Sequence, residues 1–316
     1  FMGILAFKSG NHDIAEKMLV RALTIDPTYS LVWANLAQVY SVTGQLDKAE
    51  KSFKNILNME PNNGLIWAEY GTVLTKLANY KDGKEAYLKA LDFKPDSPRV
   101  HLSLGHVYKT MGEIDKSIDS YKNTIFQNKL SGEAYWSLAN LKTYSFSENE
   151  IKEMEQTLKE DMSDVERSQM HFALGKALEV NKDFDNSFQN YFEGNRIKKE
   201  QIKYSSKDTT DNTKRILSFF NFENIKNIAE SSTNDRDPIF VLGMPRSGST
   251  LIDQIISSHS KVDGTQELPN IIKIAAELNA DKKNSYPEIL KKFKDTEISE
   301  LGKNYLYETS WARDNA

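Results

Sequence analysis

One short stretch of the sequence combines glycine, hydroxyl and arginine residues in a spacing that could bind a phosphate or sulfate group. The apolar run 238–242 predicts a buried parallel strand, and the loop 243–248 follows it directly. From Leu251 onward, apolar residues recur at helical spacing. A strand, a glycine-bearing loop and a helix in that order aim backbone N–H groups and the positive end of the helix at one point. The stretch therefore predicts an anion-binding site.

The loop differs from the nucleotide-binding P-loop, G-x-x-x-x-G-K-[ST], at its charged position. Gly243 and Gly248 keep the spacing of the two glycines, but Ser249 stands where that loop has its lysine. The only cation in the loop is Arg246, two residues before the second glycine. Because the missing lysine is the charge that reaches the β- and γ-phosphates, the loop is P-loop-like but not built for triphosphate hydrolysis.

The loop residues also match the pattern P-[KR]-[ST]-G-[ST]-T-[LW]. The matching residues are Pro245, Arg246, Ser247, Gly248, Ser249, Thr250 and Leu251. This segment closely resembles the 5′-phosphosulfate loop of sulfotransferases, which use 3′-phosphoadenosine 5′-phosphosulfate as donor and need no metal for chemistry. Its arginine variant is similar to that of tyrosylprotein sulfotransferases and of bacterial proteins that fuse tetratricopeptide repeats to a sulfotransferase. The resemblance extends at least over 238–271.

The resemblance implies a role for each loop residue. It implies that Arg246 contacts the bridging oxygen and the sulfuryl group of the donor. It also implies that the donor lies on the loop, with its 5′-phosphate held by backbone N–H and hydroxyl groups. The residues that bind the donor are then Pro245, Arg246, Ser247, Gly248, Ser249 and Thr250.

A second candidate lies downstream at Glu267. Tyrosylprotein sulfotransferases carry a Gly-Glu-Glu segment at a similar distance from the loop, and an ungapped alignment places its second glutamate, the proposed base, on Glu267. Gln266 and Pro269 depart from that pattern, so tyrosine specificity does not follow. A positioned glutamate that removes the acceptor proton accelerates transfer by about 10²–10⁴-fold. The alternative for Glu267 is a carboxylate at the start of a helix. Some soluble sulfotransferases use a histidine base, so His259 is also a candidate, but its place at the end of the loop helix favours a helix C-terminal residue.

The first 200 residues repeat with a period of 34. The repeated positions are Trp33, Trp67 and His101; Leu36, Tyr70, Leu104 and Leu138; Ala37, Gly71, Gly105 and Ala139; and Pro27, Pro61 and Pro95. The pattern resembles the tetratricopeptide repeat, which implies an α-helical solenoid of paired helices. One unit cannot bury its own apolar face, so neighbouring units must stack. This architecture predicts a groove that binds a protein or peptide partner.

Three regions are expected along the chain. Residues 1–199 form a tetratricopeptide array of about six units, and residues 200–237 form a helical linker whose boundary lies within 231–237. Residues 238–316 form the N-terminal portion of an α/β sulfotransferase domain with a parallel sheet. About 80 residues are too few for a complete domain of that kind. We therefore expect a fragment truncated at both ends, inactive as given, with the residues that bind the donor's 3′-phosphate beyond residue 316.

Composition excludes several classes of function. The 316 residues carry 41 Lys and Arg against 45 Asp and Glu, a net charge of -4, so no basic excess indicates a nucleic-acid partner. The sequence has no cysteine, which excludes disulfides and cysteine metal sites, and no metal-ligand spacing is found. The longest apolar runs, such as 239–242 and 271–278 (itself interrupted by a Lys and a Glu), are too short to span a membrane. These features predict a cytoplasmic protein.

Three functions are compatible with these observations. The first is an enzyme, a sulfotransferase that acts on a hydroxyl-bearing acceptor such as a protein tyrosine, a sugar or a small metabolite. The second is a repeat scaffold whose phosphate-binding loop is not catalytic, and absent donor affinity would favour it. The third is an NTPase or kinase with an unusual loop. Magnesium-dependent ATP binding would favour this third function, whereas the missing lysine opposes it.

Overall fold

The 34-residue period corresponds to pairs of helices that follow one another along residues 1–202. The computed structural model describes residues 1–202, 204–229, 238–265, 267–279 and 286–310. It divides into two units, Phe1–Lys203 and Tyr204–Ala316. The first four helix pairs are α1 (Met2–Lys8) with α2 (His12–Ile25), α3 (Ser30–Val42) with α4 (Leu46–Met59), α5 (Gly64–Lys76) with α6 (Tyr80–Phe93), and α7 (Pro98–Thr110) with α8 (Ile114–Gln127). Each pair packs on the next, as a solenoid requires.

The turn inside each of these pairs needs a left-handed residue at the same place. Gly10, Gly44 and Gly112 have φ of 80°, 77° and 78°, and they lie on one 34-residue register. Ala78 occupies the remaining position of that register with φ 58°. Glycine reaches this region without steric cost, whereas a residue with a Cβ is strained there. The turn geometry is therefore set by the repeat rather than by the residue type.

Small residues let the two helices of a pair approach closely. A Cβ at Gly71 would lie 2.9 Å from Cδ1 of Tyr87, and a Cβ at Gly105 would collide with the ring of Tyr121. Tyr87 and Tyr121 are buried, so each ring fills the space that the missing side chain leaves. The glycine and the aromatic residue of each repeat thus form one packing unit.

The aromatic position that opens each repeat has a polar function as well as a packing one. The indole N–H of Trp33 donates to the carbonyl of Pro27 at 2.9 Å, and that of Trp67 donates to Pro61 at 2.7 Å. In the next repeat a ring nitrogen of His101 lies 3.1 Å from the carbonyl oxygen of Pro95. Histidine can therefore occupy the tryptophan position, since a ring nitrogen of either side chain reaches the carbonyl of the proline six residues earlier.

The fifth unit departs from the regular pattern. Helix α9 (Gly132–Ala139) is short, and α10 (Glu148–Thr157) begins after a longer connection with a capping box at Ser147 and Glu150. Helix α9 packs on α11 (Asp164–Val180), and the backbone N–H of Gly132 donates to the Glu166 carboxylate. The side chain of Glu166 thus caps a helix from the following repeat. Helix α12 (Phe184–Gln201) pairs with α11 and ends the array.

The second unit is also helical in its described part. They are α13 (Ser206–Phe219), α14 (Phe222–Ala229), α15 (Ser249–Ser257), α16 (Asn270–Leu278), a 3₁₀ turn (Glu288–Lys292) and α17 (Asp295–Glu308). Helix α13 begins at Ser206, where Ser205 caps it by accepting from the N–H of Asp208 at 3.1 Å. The domain boundary expected within 231–237 lies outside the described residues, and the domain limits stay a prediction.

The predicted strand 238–242 is not assigned as a strand. It has no regular secondary structure, and no residue in the described part of the chain is assigned to a strand. A strand exists only when a neighbour pairs with its backbone N–H and C=O groups, and the described residues supply none to this segment. The parallel sheet of the sulfotransferase portion therefore stays a prediction, while the helical solenoid is present.

Candidate functional site

The segment before the candidate loop is positioned by two helices. Phe240 packs against Tyr305 of α17, with ring centroids 5.9 Å apart. A cavity of about 280 Å³ is lined by Pro238, Phe240, Ile271, Ile274, Leu301, Gly302, Tyr305 and Leu306. Helices α16 and α17 are joined by Asn270, whose amide donates to Glu308 at 3.1 Å. These contacts fix the point from which residue 243 enters the loop.

The loop itself turns sharply at two left-handed residues. Arg246 has φ 68° and Gly248 has φ 90°. The N–H of Ser247 donates to the carbonyl of Met244 at 3.0 Å, and a Cβ at Gly243 would collide with Oγ of Ser247. The serine hydroxyl thus folds back toward the backbone of Gly243, and a side chain at residue 243 would displace this hydroxyl. Gly248 is required because it ends the loop in a conformation that side chains disfavour.

Helix α15 begins with unsatisfied backbone donors. Gly248 is its N-cap residue, no side chain caps the helix, and the first helical bond runs from the N–H of Ile252 to the carbonyl of Gly248 at 3.1 Å. The N–H groups of Ser249, Thr250 and Leu251 have no hydrogen-bond partner among the described residues. Three free donors at the positive end of a helix form an anion-binding site.

Arg246 supplies the positive charge beside these donors. It is exposed and makes no hydrogen bond or ion pair with the described part of the chain. Pro245 precedes it, and Ser247, Ser249 and Thr250 bring hydroxyl groups within the same five positions. The structure thus places the six predicted loop residues in one turn that opens to solvent. Three free N–H groups and one unpaired guanidinium are groups that can donate to an anion, and the donor-binding role of these six residues stays a prediction.

The chain returns along α15 toward Glu267. A Cβ at Gly264 would lie 3.0 Å from Cβ of Ser257, so this stretch packs directly on the helix. Glu267 is exposed, and no hydrogen bond or ion pair joins it to the loop or to any other described residue. Gln266 lies outside the described residues. The structure therefore does not bring Glu267 into contact with Arg246, and its role as base stays a prediction.

His259 closes the turn after α15. Its backbone N–H donates to the carbonyl of Ile256 at 3.1 Å, and its Nδ1 accepts from the N–H of Lys261 at 3.2 Å. Both interactions are local, which supports the structural interpretation of this histidine.

A second candidate site lies on the first helices of the repeats. Arg99 pairs with Glu69 at 3.1 Å, and His106 pairs with Glu133 at 3.4 Å while its Nδ1 lies 2.9 Å from the hydroxyl of Tyr121. The hydrogen bond to His106 holds the pKa of Glu133 below its usual value, against the opposing effect of burial. Arg99 and His106 are each matched by a carboxylate, so they do not form a free clamp for a peptide carboxylate.

Two kinds of protein-family model match this chain. Residues 238–311 match the model "Sulfotransferase family", and residues 6–77, 66–97 and 98–123 match models of the tetratricopeptide repeat. The chain joins tetratricopeptide repeats to a sulfotransferase-family segment. The candidate loop and Glu267 both lie inside the matched part of that segment.

One curated relative matches this chain at low sequence identity. An uncharacterised protein of Aquifex aeolicus (strain VF5) is 28% identical over 210 residues, which cover 64% of this chain and 27% of that protein. The chain thus spans about a quarter of the length of this curated relative. The activity, substrates and partners of the whole protein are therefore proposals.

Solved structures resemble the array weakly. A crystal structure of MamA is 18% identical, covering 65% of this chain and 98% of its own, with a TM-score of 0.43. The structure from a functional characterisation of Pseudomonas aeruginosa pilF is 19% identical, with coverages of 63% and 94% and a TM-score of 0.48. YrrB, described as a TPR protein with an unusual peptide-binding site, is 16% identical, with coverages of 59% and 87% and a TM-score of 0.42. The repeats are identified by the family models and by the helix pairs.

The described residues also bear on membranes and metals. In the described ranges, no helix combines the length and the apolar character that crossing a membrane needs. The same ranges hold no group of three or more His, Cys, Asp or Glu residues arranged to bind a metal ion.

Proposed function

We propose that this protein is a sulfotransferase that moves a sulfuryl group from 3′-phosphoadenosine 5′-phosphosulfate to a hydroxyl acceptor. The observation that carries the proposal is the loop, where three free N–H groups of α15 and the unpaired Arg246 share one turn. The match of 238–311 to the sulfotransferase family supports the choice of donor. A protein tyrosine, a sugar and a small metabolite are the candidate acceptors.

The chemistry assigns complementary roles to the two charged residues. The acceptor oxygen forms a bond to sulfur while the bond from sulfur to the bridging phosphate oxygen breaks, leaving 3′,5′-adenosine bisphosphate. Arg246 stabilises the charge that grows on the leaving phosphate, which is a preorganised electrostatic effect. Glu267 takes the acceptor proton, and no metal is needed. The repeat array binds a protein or peptide partner and presents the acceptor, in the cytoplasm.

Calorimetric binding to the full-length gene product tests the donor site. We expect 3′,5′-adenosine bisphosphate to bind tightly, Mg-ATP to bind much more weakly, and R246A to weaken bisphosphate binding by about tenfold or more. R21A, which removes an exposed arginine from the repeat array, is the matched control and should leave binding unchanged.

The other functions give different results. Absent bisphosphate binding would contradict the proposal and leave a repeat scaffold. Tight, magnesium-dependent ATP binding would indicate an NTPase or kinase instead. The missing P-loop lysine disfavours that outcome.

A further inference from the structure

Helix α1 leaves two apolar side chains exposed on one side. Met2 is 63% exposed and Leu5 is 46% exposed. Residues three apart are neighbours on the surface of a helix, so these two side chains form one small apolar surface. We call this surface the α1 face.

Helix α1 is built like the first helix of every other pair. Its Gly3 lies on the 34-residue register of Ala37, Gly71 and Gly105. A Cβ at Gly3 would lie 2.8 Å from Cγ of Leu19, so α1 and α2 use the same close approach as the later pairs. The later first helices therefore show what normally surrounds each position of α1.

The positions that correspond to the α1 face are covered in the later repeats. Leu5 corresponds to residues that are 0%, 2% and 3% exposed, namely Val39, Val73 and Val107. Met2 corresponds to three leucines that are at most 2% exposed and to one half-buried tyrosine, namely Leu36, Leu104, Leu138 and Tyr70. The α1 face is thus a surface that the repeat normally buries.

The element that covers this surface elsewhere is the second helix of the preceding repeat. Helix α3 packs on α4 of its own pair and on α2 of the pair before it, and α5 and α7 pack in the same way on α6 with α4 and on α8 with α6. Helix α1 has its own partner α2, and the pair that follows it is present. What α1 lacks among the described helices is therefore the second helix of a preceding pair.

We propose that in the full-length gene product a further tetratricopeptide repeat precedes α1, and that its second helix packs on Met2 and Leu5. This contact continues the interface between neighbouring repeats by one step of the register. The terminal repeat of a solenoid needs a polar outer face. Helix α1 instead presents methionine and leucine, which suits an interior helix of a longer array.

Thiol labelling of cysteine variants tests this contact, because the 316 residues contain no cysteine. M2C is introduced into the 316-residue chain and into the full-length gene product, and its reaction with a maleimide is followed by peptide mass spectrometry. We expect M2C to react at least about tenfold more slowly in the full-length protein, since the packed helix must open first. Equal rates in the two proteins would overturn the proposal.

I25C and L36C are the matched controls for this measurement. Ile25 is exposed, and the corresponding Met59 and Phe93 stay exposed inside the array, so I25C should react fast in both proteins. Leu36 is buried, so L36C should react slowly in both.

The same reaction distinguishes two other occupants of the α1 face. A gene product that begins at Phe1 but keeps any residues that follow Ala316 should label M2C as fast as the 316-residue chain does. Protection in that protein would assign the α1 face to a later part of the chain. A labelling rate that falls as the 316-residue chain is concentrated would assign it to a second copy. Either of these results would overturn the proposal.

A charged substitution tests whether the contact stabilises α1. M2D places a carboxylate in the proposed apolar contact, so peptides from α1 should exchange their amide hydrogens about tenfold faster in the full-length variant than in its parent. In the 316-residue chain M2D should have much less effect, because Met2 is mostly exposed there. I25D is the control and should not alter exchange of α1 in either protein. An M2D variant that exchanges like the full-length parent would contradict a helix packed on Met2.

Discussion

The phosphate loop contains two left-handed residues that differ in their conformational strain. Gly248 adopts φ 90° freely, whereas Arg246 at φ 68° holds a side chain in a conformation that costs about 1–2 kcal/mol. A strained residue persists when its surroundings or its function require it. Arg246 has no partner among the described residues, so ligand binding is the available reason for an arginine at this position.

Replacing Arg246 by glycine should separate strain from charge. R246G relieves the left-handed strain, so we expect the free energy of unfolding to rise by about 1 kcal/mol. The same change removes the cation, so bisphosphate binding should fall as far as in R246A. Chemical denaturation and calorimetry measure the two effects. A stabilised variant with full affinity would show that the guanidinium does not contact the ligand.

Glu267 gives a separate prediction for turnover. In the full-length gene product, E267Q keeps the shape of the side chain but cannot take a proton. We expect the rate of sulfuryl transfer to fall by about 10²–10⁴-fold while bisphosphate affinity stays the same. E277Q is the control, because Glu277 is an exposed carboxylate of α16. Loss of donor binding in E267Q would instead assign this glutamate to the donor site.

On the repeat face, Glu133 predicts a measurable titration shift. Its pKa is lowered chiefly by the hydrogen bond to His106, so the folded state gains stability above the usual glutamate pKa and loses it as the pH falls through the lowered value. In H106A the pKa of Glu133 should rise toward its usual value. Carboxyl NMR titration checks this, and H101A, whose ring reaches Pro95, should leave Glu133 unchanged.

At the scale of the element, the repeat imposes conformations that individual residues do not prefer. The register that holds Gly10, Gly44 and Gly112 also holds Ala78, and α5 still ends and α6 still begins around it. Packing of the two helices, including the contact between Gly71 and Tyr87, overrides the local preference of alanine. The helix pair is therefore the unit that determines the turn.

The turn at Ala78 offers a stabilising substitution. A78G removes the Cβ that is strained at φ 58°, and we expect the midpoint of thermal unfolding to rise, corresponding to about 1 kcal/mol. A86G is the control, because Ala86 is a buried helical residue and its loss should destabilise the array by about 1 kcal/mol. A lower midpoint for A78G would mean that the alanine methyl makes contacts that outweigh the strain.

For the whole molecule, the division into two units predicts which part of the chain a bound ligand stabilises. The loop lies in the second unit, and the repeats up to Lys203 form the first. A ligand at about one hundred times its dissociation constant stabilises the state that binds it by about 2.7 kcal/mol. That stabilisation should be concentrated where the ligand makes contact.

Hydrogen exchange of the full-length gene product measures this ligand-induced stabilisation along the chain. With 3′,5′-adenosine bisphosphate, peptides that cover 243–257 should exchange more slowly, because the free N–H groups of α15 gain an acceptor. Peptides from α3 and α4 should not change. In R246A the protection should be lost. Protection spread evenly over the array would contradict a site confined to the loop.

The sequence by itself determined the features that depend on local spacing. The 34-residue register, the helix pairs, the small residues that face aromatic rings and the glycine-bearing loop before α15 all follow from residue type and interval. Helix periodicity and helix capping depend on residues within one or two turns of the helix. The hydrogen bond from Trp33 to Pro27 also had a sequence signal, since a proline lies six residues before Trp33, Trp67 and His101.

Only the tertiary structure decided the contacts between residues distant in sequence. It gave Glu166 the role of capping α9, left the phenylalanines of α12 exposed, and left Glu267 without contact to Arg246. It also showed 238–242 without a paired strand in the described part of the chain. Each of these outcomes depends on which surfaces meet after the helices form. Periodicity specifies the face of a helix but not the partner that packs on it.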